Sequence, residues 1–168
     1  MKFVKNILIS LLVFVSQTAL SCDYSYIEKM GDLIEEVKEE TDGIASKNMP
    51  TSIVLAQAVL ETGNGKSMAA RYKKNHFGLS FKNRVLSFDS TIESVFKYFH
   101  NLNSKQYYEN LRTKLMKGKS NLGQIVTILA RSYAEDKEYS HKIIQVIDQC
   151  QLARFDWIKH PHHNGGDF

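Results

Sequence analysis

With 168 residues, 43% of them hydrophobic, and a formal charge of +4, the chain has the apolar material for one domain with a core and too little length for two ordinary ones. The positive excess is too small to point to nucleic acid as a partner and suits at most an anionic polymer. Two prolines, no repeat and no low-complexity linker leave no internal domain boundary.

Lys2 and Lys5 precede the apolar run Ile7 to Val15, and Ala19-Leu20-Ser21 gives the small-x-small pattern that signal peptidase reads. Residues 1–21 are therefore expected to be a secretion signal peptide, cleaved before Cys22. The alternative is an uncleaved anchor, but the apolar run is shorter than the roughly 20 residues that span a bilayer. No later segment resembles a transmembrane helix. The mature domain is then expected over 22–158, with a disordered tail over 159–168, and the protein is placed outside the cell, in the periplasm or in the cell envelope.

The two cysteines are Cys22, at the expected new N-terminus, and Cys150, near the end of the last apolar helix. In an oxidising compartment the simplest reading is a disulfide joining the two ends, which the chain-entropy model values at roughly 4 to 5 kcal/mol for so long a loop. Lipidation of Cys22, as in bacterial lipoproteins, is the alternative; Ala19 stands where such signals usually carry leucine.

The mature chain reads as helix almost throughout. Ile27, Met30, Leu33, Ile34 and Val37 mark a first amphipathic helix, ended by a turn at Asp42-Gly43. From Ile53 to Leu60 every residue except Gln57 is apolar, the pattern of a helix buried on all sides. Ser67 to Lys74 predicts a short helix with Met68, Ala69 and Tyr72, and 75–88 an irregular stretch with short extended pieces. Ser90-Thr91-Ile92-Glu93 is a capping box that opens a helix carrying Val95, Phe96 and Phe99. Further helices are expected over Ser104 to Lys117, from Asn121 to a break at Tyr133 to Asp136, and around Ile143 to Cys150.

One carboxylate stands out from this pattern. Glu61 follows Gln57 by four residues on the same face of the buried helix, and Gly63-Asn64-Gly65 stops that helix at once. A helix C-terminus and apolar neighbours both disfavour the charged form, and a glycine-rich turn admits another molecule. A carboxyl group kept protonated at the mouth of a cleft is what a general acid requires. The plainer alternative is a helix-end glutamate pointing into water. Gln57 is expected to hydrogen-bond inside the helix layer, and Asn75 and Gly78 to shape the backbone. No cofactor or metal is expected: Gly65-Lys66-Ser67 lacks the first glycine and preceding strand of a phosphate loop, His76, His100 and His141 lack ligand spacing, and His160, His162 and His163 lie in a polar tail.

These residues bring a resemblance into view. The segment Pro50 to Leu79, with Leu55-Ala56-Gln57, Glu61-Thr62-Gly63-x-Gly65 and Asn75-x-Phe77-Gly78, resembles the signature of the bacterial glucosaminidases, glycoside hydrolase family 73. Phe88-Asp89-Ser90-x-x-x-Ser94 with Tyr98 and Asn101-Leu102-Asn103 is similar to the family's middle helix, most closely in its compact, Bax-type members. Tyr133-Ala134-x-Asp136-x-x-Tyr139-x-x-Lys142-Ile143 resembles its last motif, so the likeness covers about 45–150. It implies an all-α, lysozyme-like fold with a minimal β lobe, acting as a monomer on peptidoglycan glycan strands at the β-1,4 bond between N-acetylglucosamine and N-acetylmuramic acid.

Carried over by position, Glu61 would be the general acid, and Tyr133 would line the cleft opposite it, holding the N-acetyl group or orienting water. Phe77, Tyr139 and Asp89 are candidates for substrate contact, and Tyr72 and Phe81 are further aromatic candidates. Ser80 to Ser87, where many members carry a second acid, has neither Asp nor Glu; Asp89 and Glu93 are the nearest substitutes, with Glu93 already used in the capping box. One carboxylate favours a substrate-assisted reaction, in which the sugar's acetamido oxygen attacks the anomeric carbon. A lytic transglycosylase on the same fold, and a glycan-binding module without turnover, remain the alternatives. Asn64 stands where the family commonly has tryptophan, so a ring for packing or stacking is missing from that turn.

Overall fold

The computed structural model describes residues 21–118 and 121–157. The leader expected over 1–21, apart from Ser21, and the tail expected over 159–168 lie outside the described residues. Helices α1 (Tyr24–Glu40), α2 (Ile44–Asn48), α3 (Thr51–Thr62) and α4 (Met68–Lys73) are followed by a two-stranded hairpin, β1 (Ser80–Phe81) and β2 (Arg84–Val85). Then come α5 (Thr91–Ser104), α6 (Glu109–Met116), α7 (Leu122–Tyr133) and α8 (Tyr139–Gln149), with single 3₁₀ turns at Gln106–Tyr108 and Leu152–Asp156. The architecture is all-α with a minimal β lobe, as the sequence implies.

The helix that reads as buried on all sides is the centre of the molecule. Ile53, Val54, Leu55, Ala56, Ala58 and Val59 are wholly buried, and α3 packs against α1, α8 and the last 3₁₀ turn. Burying a branched aliphatic side chain stabilises by roughly 1.5–3 kcal/mol, so this helix anchors the fold. Its N-terminus needs outside help, because Pro50 offers no capping side chain. Asp156 supplies it: the Ser52 N–H donates to Oδ1 at 2.8 Å and the Ser52 hydroxyl donates to Oδ2 at 2.7 Å.

Most expected boundaries hold, and two readings are corrected. Ser104 to Lys117 is not one helix: a 3₁₀ turn precedes α6. The short helix α4 forms, capped by Ser67, but Met68 and Tyr72 are 70% and 68% exposed and only Ala70 is buried. A helix of six residues presents a single face to the core, and here alanine occupies it. The capping box at α5 is present, with the Ser90 Oγ accepting from the Glu93 N–H and the Glu93 carboxylate accepting from the Asp89 N–H at 2.7 Å.

Cys22 and Cys150 are joined in a disulfide that ties the start of α1 to the end of α8. The sulfur that lipidation would use is therefore already bonded. Asn64, in place of a tryptophan, also holds the N-terminal segment: its Nδ2 donates to the Ser21 carbonyl at 2.7 Å, and its Oδ1 accepts from the Asp23 N–H at 3.2 Å. Among the described residues, no helix is long and apolar enough to cross a membrane.

Candidate active site

Glu61 occupies the last turn of α3, which Gly63 closes in the left-handed conformation with φ 57°. Its carboxylate enters a cleft of about 310 Å³ whose walls include Phe77, Gly78, Asn101, Tyr108 and Tyr133. A larger hollow of about 540 Å³ lies around Phe88 and Phe96, away from Glu61, so chemistry rather than size selects the site. Among the described residues lining the Glu61 cleft, Glu61 is the only carboxylate.

The two carboxylate oxygens have different surroundings. Oε1 accepts a hydrogen bond from the Tyr139 hydroxyl at 2.8 Å. Oε2 lies beside Gly78, where a Cβ would approach it to 2.9 Å. Gly78 also has φ 61°, which disfavours any side chain, so glycine meets two demands at one position. Burial raises the Glu61 pKa, and the hydrogen bond from Tyr139 opposes it without overturning it. In the protonated acid the carbonyl oxygen is the natural acceptor for Tyr139, which leaves the proton on Oε2.

Behind the acid runs a directed series of hydrogen bonds. The Tyr98 hydroxyl donates to Gln57 Oε1, the Gln57 amide donates to Tyr139 Oη at 3.3 Å, and Tyr139 donates to Glu61. Gln57 is wholly buried and stays within the helix layer. Tyr133 stacks on Tyr139 with ring centroids 5.7 Å apart, and its hydroxyl donates to the Phe77 carbonyl. Burial holds the Tyr133 hydroxyl protonated far above neutral pH, with the neighbouring Tyr139 and Glu61 adding to the effect. Its proton is committed to Phe77, so the Tyr133 hydroxyl has only acceptor capacity left.

The sequence candidates thus divide. Glu61, Tyr133 and Phe77 meet in the cleft, although the Phe77 ring is only 1% exposed and stacks on Tyr98 at 4.3 Å. Tyr139 sits behind the carboxylate and touches it through its hydroxyl. Asp89 is not brought to the cleft: it is exposed at the head of α5, where its backbone N–H is taken by Glu93. Tyr72 and Phe81 are exposed and outside the cleft lining. Asn101 and Tyr108 line the cleft without having been singled out from sequence for a role; Asn101 stood within the middle motif, which was the available signal.

Residues 42–152 match the family model described as Glucosaminidase, mannosyl-glycoprotein endo-beta-N-acetylglucosaminidase. The chain is similar to the catalytic domain of the autolysin Auto from Listeria monocytogenes, at 18% identity and a TM-score of 0.64, over 79% of this chain and 86% of that one. It is also similar to an N-acetylmuramoyl-L-alanine amidase from Staphylococcus aureus, at 20% identity and a TM-score of 0.65, over 82% of this chain and 44% of that one. Both likenesses establish the fold. No curated protein matches the chain.

Proposed function

The chain belongs to the glucosaminidase family of glycoside hydrolases, and from that premise we propose that Glu61 is the general acid of an endo-β-N-acetylglucosaminidase acting on peptidoglycan. The observation that carries the assignment is a single, pKa-raised carboxyl group in the cleft, with one oxygen held by Tyr139 and the other beside a residue without a side chain. Glu61 Oε2 gives its proton to the glycosidic oxygen as that oxygen's bond to C1 of N-acetylglucosamine breaks. The sugar's acetamido oxygen forms the new bond to C1, so no protein nucleophile is needed. Water then attacks C1, the oxygen bridge opens, and the water's proton returns to the Glu61 carboxylate. Tyr133, which lines the same cleft and has its proton on the Phe77 carbonyl, offers an acceptor that orients that water or the acetamido group.

The reading extends to the compartment. Residues 1–21 act as a secretion signal and the enzyme works in the envelope or outside the cell, which the Cys22–Cys150 disulfide supports because such bonds persist in oxidising compartments. The N-terminus of the exported protein, read by mass spectrometry, is expected to be Cys22.

The direct test is digestion of purified sacculi with wild type and Glu61→Gln. Wild type is expected to release fragments with a reducing N-acetylglucosamine end, and Glu61→Gln to lose turnover by roughly 10³-fold, within the usual range for general acid catalysis. Unchanged cleavage by the variant removes the acid assignment. Anhydro-muramic ends would make the protein a transglycosylase, and binding without cleavage by wild type would make it a glycan-binding module.

A further inference from the structure

The Glu61 cleft is continued by a second groove. Ser132, which lines the cleft, also lines a space of about 370 Å³ between α6 and α7. On the α6 side stand Asn110, Thr113, Lys114 and Lys117, at the spacing of one helix face, and on the α7 side Ile128, Arg131 and Ser132, at the same spacing. The junction is held by the Ser132 hydroxyl, which donates at 2.9 Å to the carbonyl of Tyr107, another residue of the cleft lining. Three cations and no carboxylate line the groove. Lys38, Lys47, Lys66, Lys142 and Arg154 are ion-paired elsewhere, whereas among the described residues Lys117 and Arg131 are in no ion pair.

Resting on the reading of the cleft as the glycan site, we infer that this groove receives the peptide stem of a muramic sugar bound beside Glu61, and that Lys117 and Arg131 hold the stem's carboxylates. A stem is a short peptide on the lactyl group of N-acetylmuramic acid, and it carries free carboxylates, backbone amides and small apolar side chains. The groove has a counterpart for each. Arg131 can hold a carboxylate through two parallel N–H donors and Lys117 adds a point charge. The Asn110 and Thr113 side chains suit backbone amides, and Ile128 suits methyl groups. Continuity with the cleft makes the occupant part of the strand bound there: at about 3.3 Å per extended residue, a stem of a few residues reaches from the cleft into the adjoining groove. A phosphate polymer would be drawn by the same charges but would leave the amide partners and Ile128 unused. The groove therefore selects strands whose stems keep their negative charge.

The test is calorimetric binding in the Glu61→Gln background, where the probe survives. One probe is a tetrasaccharide of alternating N-acetylglucosamine and N-acetylmuramic acid with tetrapeptide stems, the second is the same molecule with every stem carboxylate amidated, and the third is poly(glycerol phosphate). The parent is expected to bind the charged stems about fivefold more tightly than the amidated ones, the size two partly screened ion pairs supply. Adding Lys117→Gln and Arg131→Gln is expected to abolish that difference by weakening the first probe alone. Equal loss on both stem probes, or loss on neither, overturns the inference. Binding of poly(glycerol phosphate) that the added substitutions abolish, beside stems the parent does not distinguish, gives the groove to a phosphate polymer and overturns it as well. Both side chains are exposed, so the melting temperature is expected to stay unchanged; a fall of several degrees would make the two cations part of the fold and count against the inference. Failure of the two readings is distinguishable. A parent that binds neither stem probe defeats the glycan cleft itself, and a parent that binds both equally, beside an inactive Glu61→Gln in the sacculus assay, defeats the groove alone.

Discussion

Two buried polar groups meet on either side of the loop Asn75 to Gly78, and they end differently. One is closed: His76 Nδ1 pairs with the Tyr26 hydroxyl at 3.0 Å, its Nε2 pairs with Thr91 Oγ1 at 3.3 Å, and Thr62 donates to Tyr26 at 3.3 Å. The other is open: Tyr98, Gln57 and Tyr139 pass hydrogen bonds in one direction to Glu61, whose Oε2 lies beside Gly78 in the lining of the cleft. A closed network contributes to folding alone. An open one keeps desolvated groups in reserve for a ligand, which is how a binding or catalytic site differs from a polar core.

Glu61→Gln strikes the open network hardest. The amide keeps the shape and the acceptor toward Tyr139 but carries no transferable proton, so turnover falls by roughly 10³-fold while the fold is at least as stable, since a desolvated carboxyl has been removed. A thermal melt run beside the sacculus assay checks both halves. Gly78→Ala comes next. Its Cβ would lie 2.9 Å from Oε2 at a φ of 61°, so the substitution is expected to cost about 1–3 kcal/mol of stability and to reduce cleavage by moving the acid. A variant with wild-type stability and activity would show that the close approach at Gly78 does not matter.

The closed network has its own signature in pH. Burial, aided by the positive charge of Lys74, lowers the His76 pKa from 6.5 to about 4. The unfolded chain takes up the proton near 6.5 and the folded protein resists it, so the contribution to stability is whole above pH 6.5 and drains as pH falls toward 4. The loss amounts to at most about 3 kcal/mol. Chemical denaturation of wild type and His76→Gln across that range is expected to show a shallower acid slope in the variant; parallel slopes would mean that the folded protein takes up the His76 proton as readily as the unfolded chain.

How far the sequence carried the reader depends on the range of the interaction. Helices α1, α3, α5, α7 and α8 follow from the spacing of apolar residues, and the caps at Ser90 and Asn121 from residues three positions apart, because both signals are local. The Asp156 cap on α3 is 104 residues from Ser52, and nothing near either residue announces it. The same limit applies to the site. Glu61 is legible from its own helix and turn, whereas the hydroxyl that orients it comes from Tyr139, 78 positions away, and reaches it only through the packing of α8 on α3. Tyr139 therefore reads as a sugar-contacting aromatic and stands behind the acid instead. Asp89 shows the converse: a carboxylate close to the motifs in sequence is kept from the cleft by a local cap.

Tyr139→Phe has the smallest expected effect and separates the two networks most finely. The phenyl ring keeps the stack on Tyr133 and removes only the hydroxyl that donates to Glu61 Oε1. That hydrogen bond lowers the Glu61 pKa, so its loss raises the pKa further, and the alkaline limb of the pH profile, where the acid loses its proton, moves to higher pH. Turnover at the optimum is expected to drop only several-fold, by about 1 kcal/mol, as the carboxyl loses one of its fixed bonds and Gln57 loses its acceptor. A limb that stays put or moves to lower pH would mean that Tyr139 does not act on the charge of Glu61. Tyr98→Phe, two bonds further back, should move the limb less in the same direction; if it moves it as far, Tyr98, Gln57 and Tyr139 act on the acid as one rigid unit rather than as a series whose influence weakens with each bond.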